Sequence, residues 1–294
     1  MSLRASSIGD LAARILSKGG TGEVTRVFNR STYVRSGGDF ILLLWGTLRS
    51  PMTINVEGSY STGWRTRVGE RCILSRESVA LDSGRIDVRG AEVFRSALLD
   101  SRKIALPTGP ALAKGVAVLR LLYEVSSSGP VLPADPALKP FVRETLIPLS
   151  FGRTGTAYQP ARYLRLIGRG GGFTPSGDDF VGGFVATFNY VARCKGRRQV
   201  LIPLTLFREM TVPESAVILN QSAKGRVDEG MERLVLASTG GKAGFYDELM
   251  IVARRGHTSG IDMSLGVLLC EAALAQANGE RGALQKCLDA LWKS

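Results

Sequence analysis

The chain reads as an α+β protein. A sheet-rich, barrel- or sandwich-like N-terminal part is expected over residues 1–109, and a mainly helical C-terminal part over residues 110–294. Three observations predict this. Short β-rich runs broken by Gly, Ser, Asn and Pro fill the stretch from Glu23 to Leu99. From Pro110 onward the apolar residues recur at helical spacing. Between Leu166 and Phe180 a glycine loop opens a long apolar helix.

In chain order, Ser6 to Lys18 is expected to be a short helix, with Ile8, Leu11, Ala12 and Ile15 on its apolar face and Gly19-Gly20 as its stop. Strands are expected at Val24–Phe28, Ser31–Arg35, Phe40–Trp45, Thr53–Val56, Arg71–Leu74, Val79–Leu81 and Ile86–Val88. Turn-forming Asn29-Arg30, Ser36-Gly37-Gly38-Asp39 and Asp82-Ser83-Gly84 separate them. Such close spacing favours antiparallel pairing over alternating strand–helix units. Helices are expected at 111–123, 138–149, 160–167, 178–193, 202–209, 213–223, 227–237, 243–254, 259–277 and 282–292, with a loop at 126–130.

The 294 residues carry a formal net charge of +12, which favours anionic partners. The basic residues are mostly dispersed. The one tight cluster, Arg193 to Arg198, falls where a helix should end, and cations there complement the helix dipole. No aromatic interleaving accompanies it, so a small anionic metabolite is the expected partner and nucleic acid is not. Four scattered cysteines without a Cys-x-x-Cys pair suggest reduced thiols and a cytoplasmic protein. Met1–Gly20 lacks the apolar run of a signal peptide, Phe40–Trp45 is too short to span a bilayer, and no membrane partner is expected.

Candidate chemistry centres on Gly168-Arg169-Gly170-Gly171-Gly172-Phe173-Thr174-Pro175-Ser176-Gly177-Asp178-Asp179. Glycines free the backbone to reach positive φ and leave N–H groups uncovered. A helix start adds unpaired N–H groups and the positive end of the dipole. Pro175 suits a first helical position, and Thr174 or Ser176 suits the cap. Gly170, Gly171, Gly172, Thr174, Ser176 and Gly177 therefore form a candidate phosphate or carboxylate site. Asp178 and Asp179 would repel a bare anion, which points to Mg²⁺ between them and it. The loop has no Lys-Ser or Lys-Thr of a nucleoside-triphosphate loop and no clean dinucleotide fingerprint. A tight turn with a capped helix explains the same residues without a ligand.

A second stretch echoes the first. Ser176-Gly177-x-Asp179 followed by Gly183 is matched by Ser259-Gly260-x-Asp262 followed by Gly266. Each glycine lies one turn below its aspartate on the same face, where another backbone or a ligand could come close. The expectation is that both helix mouths face one pocket, with Thr258, Ser259 and Gly260 contributing to anion binding and Asp262 joining Asp178 and Asp179 as a metal ligand. His257, the sole histidine, sits at the second mouth as a candidate acid, base or carbonyl-oxygen donor. Ser215, polar on an otherwise apolar helix, and Asn29 and Arg30, in an N-terminal turn, are further candidates; Arg49-Ser50-Pro51 is a weaker one.

On the Thr174-Pro175-Ser176-Gly177-Asp178-Asp179 string, with Gly256-His257-Thr258-Ser259-Gly260-Ile261-Asp262 downstream, the chain resembles the AllH-type subunit of oxamate carbamoyltransferase. The resemblance extends over nearly the whole chain, including Phe28-Asn29-Arg30, Ser50-Pro51 and the Ser215 helix. It departs at Gly171, where the family usually has proline, so the loop should be looser. The resemblance implies transfer of a carbamoyl group between oxamate, or a related amide, and phosphate, in a complex with other carbamoyltransferase subunits. Asp178, Asp179 and His257 are then the expected catalytic residues. A metal-dependent small-molecule kinase and a non-catalytic metabolite-binding subunit are the alternatives, and a homo-oligomer is left open.

Overall fold

The computed structural model describes residues 2–58, 64–100, 104–126, 132–153, 155, 160–201, 205, 208–240 and 244–292. The chain divides into two compact units, Met1–Ser96 and Ala97–Ser294, so residues 97–109 group with the helical part.

The first unit is a mixed β-barrel. Its strands are β1 (Ser2–Gly9), β2 (Gly20–Phe28), β3 (Ser31–Ser36), β4 (Asp39–Leu44), β5 (Thr53–Val56), β6 (Arg71–Ser75), β7 (Ser78–Leu81), β8 (Gly84–Asp87) and β9 (Glu92–Phe94). The order β5-β4-β3-β2-β6-β7-β8-β1 closes when β1 pairs antiparallel with β5, and β9 adds beside β1. Closure leaves no continuous unpaired edge among the barrel strands. Alternation carries the core: in β6, Cys72 and Leu74 are buried while Arg71 and Ile73 face out.

All seven expected strands are present. The expected helix at Ser6–Lys18 is not one element. Ser6–Gly9 belongs to β1, and helix α1 spans Asp10–Lys18. The pairing of Ser7, Ile8 and Gly9 with both β5 and β9 holds these residues extended, overriding the local apolar pattern. The Arg49–Pro51 turn is structural rather than an anion ligand. The Pro51 carbonyl accepts the first N–H groups of α1, from Leu11 and Ala12. Arg49 pairs with Glu92 at 2.7 Å.

The second unit is helical: α2 (Gly109–Val125), α3 (Leu138–Phe141), a π-helical turn (Val142–Leu146), α4 (Ile147–Ser150), α5 (Pro160–Tyr163), α6 (Ser176–Cys194), α7 (Pro213–Ala223), α8 (Glu229–Thr239), α9 (Phe245–Ala253), α10 (Ser259–Ala277) and α11 (Ala283–Trp292). The π turn falls just before Pro148, which has no N–H to give and whose ring crowds the carbonyl four residues back. The helix expected over 160–167 stops at Tyr163, because the chain must turn toward Gly168, at φ 76°. The helix expected at 202–209 lies largely outside the described residues.

Helices α6 and α10 form the centre and are buried on all sides over most of their length. Every α6 residue from Ser176 to Ala192 is buried, as is nearly all of α10. Among the described residues, α10 alone is long and apolar enough to cross a membrane, and 83% of its most apolar window is buried inside the unit, as in a core helix. The two helices touch through their glycines. A methyl group on Gly183 would lie 2.1 Å from the Met263 carbonyl oxygen, and one on Gly266 would lie 2.1 Å from that of Phe180. Each glycine thus receives the residue that follows the other helix's aspartate. The close approach is backbone on backbone, without space for a ligand there.

Candidate functional site

The glycine loop is built by three residues in the left-handed region: Gly168, Gly170 (φ 93°) and Gly172 (φ 101°). Gly168 also packs against the Met210 carbonyl, 2.1 Å from where a methyl group would stand, and Gly170 against Ser176. Gly171 is different: its φ is not positive and nothing lies within 4 Å of a methyl group placed on it. The looseness expected at Gly171 is therefore confined to one exposed position.

Asp178 fastens this loop. Its Oδ1 accepts the Gly168 N–H at 2.8 Å, and its Oδ2 accepts the Thr211 hydroxyl. Burial raises its pKa, and Thr211, Gly168 and the nearby Ser215 hydroxyl oppose that rise. The Gly177 N–H is also committed, donating to the Arg169 carbonyl at 2.9 Å, so it is not available to a phosphate. Pro175 stands one residue before the helix as its N-cap, and no side chain caps the start. Thr174 instead donates to the Asp179 carboxylate at 2.9 Å.

The second mouth repeats this construction. Gly260 donates its N–H to the Arg255 carbonyl at 3.2 Å, as Gly177 does to Arg169. A methyl group on Gly177 would meet the Leu166 carbonyl at 1.8 Å, and one on Gly260 the Val252 carbonyl at 1.9 Å. Gly170 and Gly256, at φ 93° and 59°, each follow that arginine and lie against the first serine of the helix, Ser176 or Ser259. The two mouths are thus the same backbone device built twice.

They meet. The Thr174 hydroxyl of the first mouth and the Ser259 hydroxyl of the second are 2.9 Å apart and hydrogen-bonded. Both are half-buried, below the exposed Gly170–Gly172 rim. Beneath them lie Asp179, at 5% exposure, and Asp262, at 0%. The arrangement is reciprocal: Ser259 and Thr174 stabilise the Asp179 carboxylate, while Ser176 and Thr258 stabilise that of Asp262. The Tyr123 hydroxyl, from α2, donates to Asp262 Oδ1 at 2.5 Å. Asp262 Oδ2 is buried without a hydrogen-bond partner.

No Lys or Arg pairs with either carboxylate among the described residues. Burial therefore dominates their ionisation. It pushes Asp262 up to about 6 against the pull of Tyr123, Ser176 and Thr258. It pushes Asp179 well above the usual carboxylate range, and the Asp262 charge adds to the rise. Burial and the neighbouring Asp262 charge both favour the protonated form of Asp179. Tyr123 is likewise raised well above its ordinary value, by burial and then by the Asp262 charge.

The expected three-aspartate metal set is not assembled. Among the described residues no group of three or more His, Cys, Asp or Glu side chains is placed to hold a metal ion, and Asp178 is turned onto Gly168 and Thr211. His257 is exposed in the turn before α10. Ser215 is buried at the start of α7, beside Asp178. Asn29 and Arg30 lie exposed in the β2–β3 turn of the barrel unit.

Sequence reasoning missed Tyr123 and Thr211. Tyr123 had a readable signal, since it follows Val116 and Leu119 at helical spacing and so continues the buried face of α2. Thr211 stands in a loop with no such pattern.

The stretch that holds both mouths is also the one that matches a protein-family model. Residues 166–271 match the AllH family, described as oxamate carbamoyltransferase subunit AllH. The match begins at Leu166, whose carbonyl receives Gly177, and runs through α10 to Glu271. The AllH description is that of a carbamoyltransferase subunit, which implies companion subunits. Tyr123 and the barrel unit lie outside the matched stretch. No curated protein and no solved structure gives a match.

Proposed function

We propose that the chain is a subunit of an oxamate carbamoyltransferase-like enzyme, and that the joined mouths of α6 and α10 are its reactive face. The observation that carries this reading is the Thr174–Ser259 bond over the Asp179–Asp262 pair, inside the AllH-matched stretch. The exposed Gly170–Gly172 rim, Thr174, Thr258 and Ser259 receive the carbamoyl donor and the small amide. His257, two residues from Ser259, donates to the carbonyl oxygen as charge develops there. In the transfer the carbamoyl carbon separates from a phosphate oxygen and bonds to the amide nitrogen. The proton lost by that nitrogen passes to Asp262, whose Oδ2 has no other partner. A carboxyl raised to about 6 by burial suits a proton acceptor near neutral pH.

Mg²⁺ enters this reading in a narrowed form. Asp179 and Asp262, rather than Asp178, are the carboxylates that would hold it, since Mg²⁺ takes one or two carboxylates and completes its shell with phosphate oxygens and water. The unpartnered Oδ2 of Asp262 fits that use. Bound there, the ion would neutralise phosphate charge. A Mg²⁺-dependent rise in Tm that disappears in Asp262→Asn supports the ion; an unchanged Tm leaves the pair to proton transfer.

The test of the whole reading is turnover by the assembled complex containing Asp262→Asn or Asp179→Asn. A fall on the order of 10²-fold is expected for loss of a positioned acid or base. Unchanged turnover with intact folding rejects it. The burial of both carboxyls favours a second reading, a non-catalytic metabolite-binding subunit in which the pair fastens two helices. On that reading the substitutions change Tm and leave turnover alone.

A further inference from the structure

The barrel unit contains a cavity of about 640 Å³ that the carbamoyltransferase reading does not use. Its lining includes the apolar side chains of Ile8 in β1, Ala13 in α1, and Val88, Ala91 and Val93 around β9. Three arginines ring it: Arg14 on α1, Arg76 in the β6–β7 turn and Arg95 just after β9. Ser17, one turn along from Arg14, also lines it, with its hydroxyl donating to the Arg14 carbonyl at 2.8 Å. All three arginine side chains are exposed, and none has an ion pair or hydrogen-bond partner among the described residues. Elsewhere in this unit Arg35, Arg49 and Arg89 each pair with a carboxylate.

Three elements far apart in sequence thus bring three unpaired guanidinium groups to one concavity. Asp10 is the one carboxylate in the wall, so the lining carries a net charge of +2, three arginines less one aspartate. Guanidinium forks match phosphate oxygens geometrically as well as by charge. A phosphomonoester carries close to two negative charges at neutral pH, its second pKa being about 6. The cavity volume falls within the range of about 300–1,000 Å³ usual for small-molecule sites and far exceeds one phosphate ion. The apolar side chains in the lining can contact an organic body. We propose that this cavity binds a small-molecule phosphomonoester, with Arg14, Arg76 and Arg95 holding the phosphate and the Ile8–Val93 wall contacting the carbon skeleton. This inference does not depend on the carbamoyltransferase reading.

The experiment is calorimetric titration of the full chain with ribose 5-phosphate, ribose and inorganic phosphate, repeated for Arg14→Ala, Arg76→Ala and Arg95→Ala. The paired Arg35→Ala serves as the control for general surface charge. The expected result is saturable 1:1 binding of ribose 5-phosphate, no binding of ribose and weaker binding of inorganic phosphate. Each cavity arginine removed should weaken binding about tenfold, while Arg35→Ala leaves it unchanged. The side chains are exposed, so circular dichroism should show the variants folded. The proposal is overturned if ribose 5-phosphate does not bind, if inorganic phosphate binds equally well, or if all four substitutions act alike. It is also overturned if an RNA oligonucleotide or anionic vesicles bind through these arginines and ribose 5-phosphate cannot compete.

Discussion

Neighbouring glycines in the loop serve different purposes, and single substitutions separate them. Gly168→Ala should destabilise the protein by more than about 1–2 kcal/mol, because its φ of 76° is costly for an L side chain and its methyl group would enter the Met210 carbonyl. Gly171→Ala should instead stabilise it by about 0.4–1 kcal/mol, since the site is open and the unfolded chain loses freedom. Denaturant titration of both variants checks the pair of signs; a stabilised Gly168→Ala would contradict the loop geometry. The sequence showed that this run is a glycine loop. Which glycines are required could not be read from it, because that depends on Met210 and Ser176 arriving from other parts of the chain. The same holds for the aspartates. Asp178 and Asp179 are adjacent and chemically identical, yet one fastens the loop and the other enters the buried pair. Their directions differ by one residue of helical rotation. Tyr123→Phe should remove one donor from Asp262 Oδ1, raising the Asp262 pKa further and costing about 1–3 kcal/mol above pH 6. A pH series of unfolding curves measures it, and unchanged curves would reject the Tyr123 role.

The central helix pair is the element on which the second unit depends. Its close approach is set by Gly183 and Gly266, and neither position has room for a methyl group. Gly183→Ala or Gly266→Ala should therefore cost about 1–3 kcal/mol by overpacking, despite alanine's better helix propensity. In the double variant the losses should add less than fully, because once the helices have separated for one methyl group the other is partly accommodated. Thermal unfolding of the three variants tests this, and a stabilised single variant would contradict the packing. Both helices were legible in sequence to within two residues at each end, as was the pairing of motif with echo. The physical reason is local: a strong helical period and glycines at matched offsets. The boundary of α1 was not legible. Its first residues, Ser6 to Gly9, carry a pattern that a helix could use, and the barrel takes them as strand because two neighbours hydrogen-bond to them.

At the scale of the whole molecule, buried acids tie stability to pH, Glu271 and Asp262 among them. Burial raises Glu271 to about 8 from 4.5; the Ser238 hydroxyl opposes this with a bond at 2.5 Å, and Oε2 has no partner. Asp262 is raised to about 6 from 3.8. Both folded pKa values lie above the unfolded ones, so the folded protein binds more protons between them. Their stabilising contribution is full below about pH 4, falls as pH rises through 6 and 8, and levels off above that. Glu271→Gln should remove the part of this slope between pH 4.5 and 8, a change on the order of a few kcal/mol over the window. Urea midpoints measured from pH 5 to 9 read it directly, and an equally steep slope in the variant would contradict the assignment.

Sequence by itself determined the division into a strand-rich and a helix-rich part, the seven strands of the barrel it foresaw, and the two aspartate-bearing helix mouths. These follow from spacing, turn residues and glycine placement, all of which act over a few residues. Tertiary structure alone decided that the sheet closes through β1 and β5, and that α6 and α10 meet glycine to backbone. It also decided that Asp179 and Asp262 become a buried pair beneath Thr174 and Ser259, rather than a three-aspartate metal set with Asp178. Burial and long-range approach made those choices, and neither can be carried by a pattern that repeats every two or four residues.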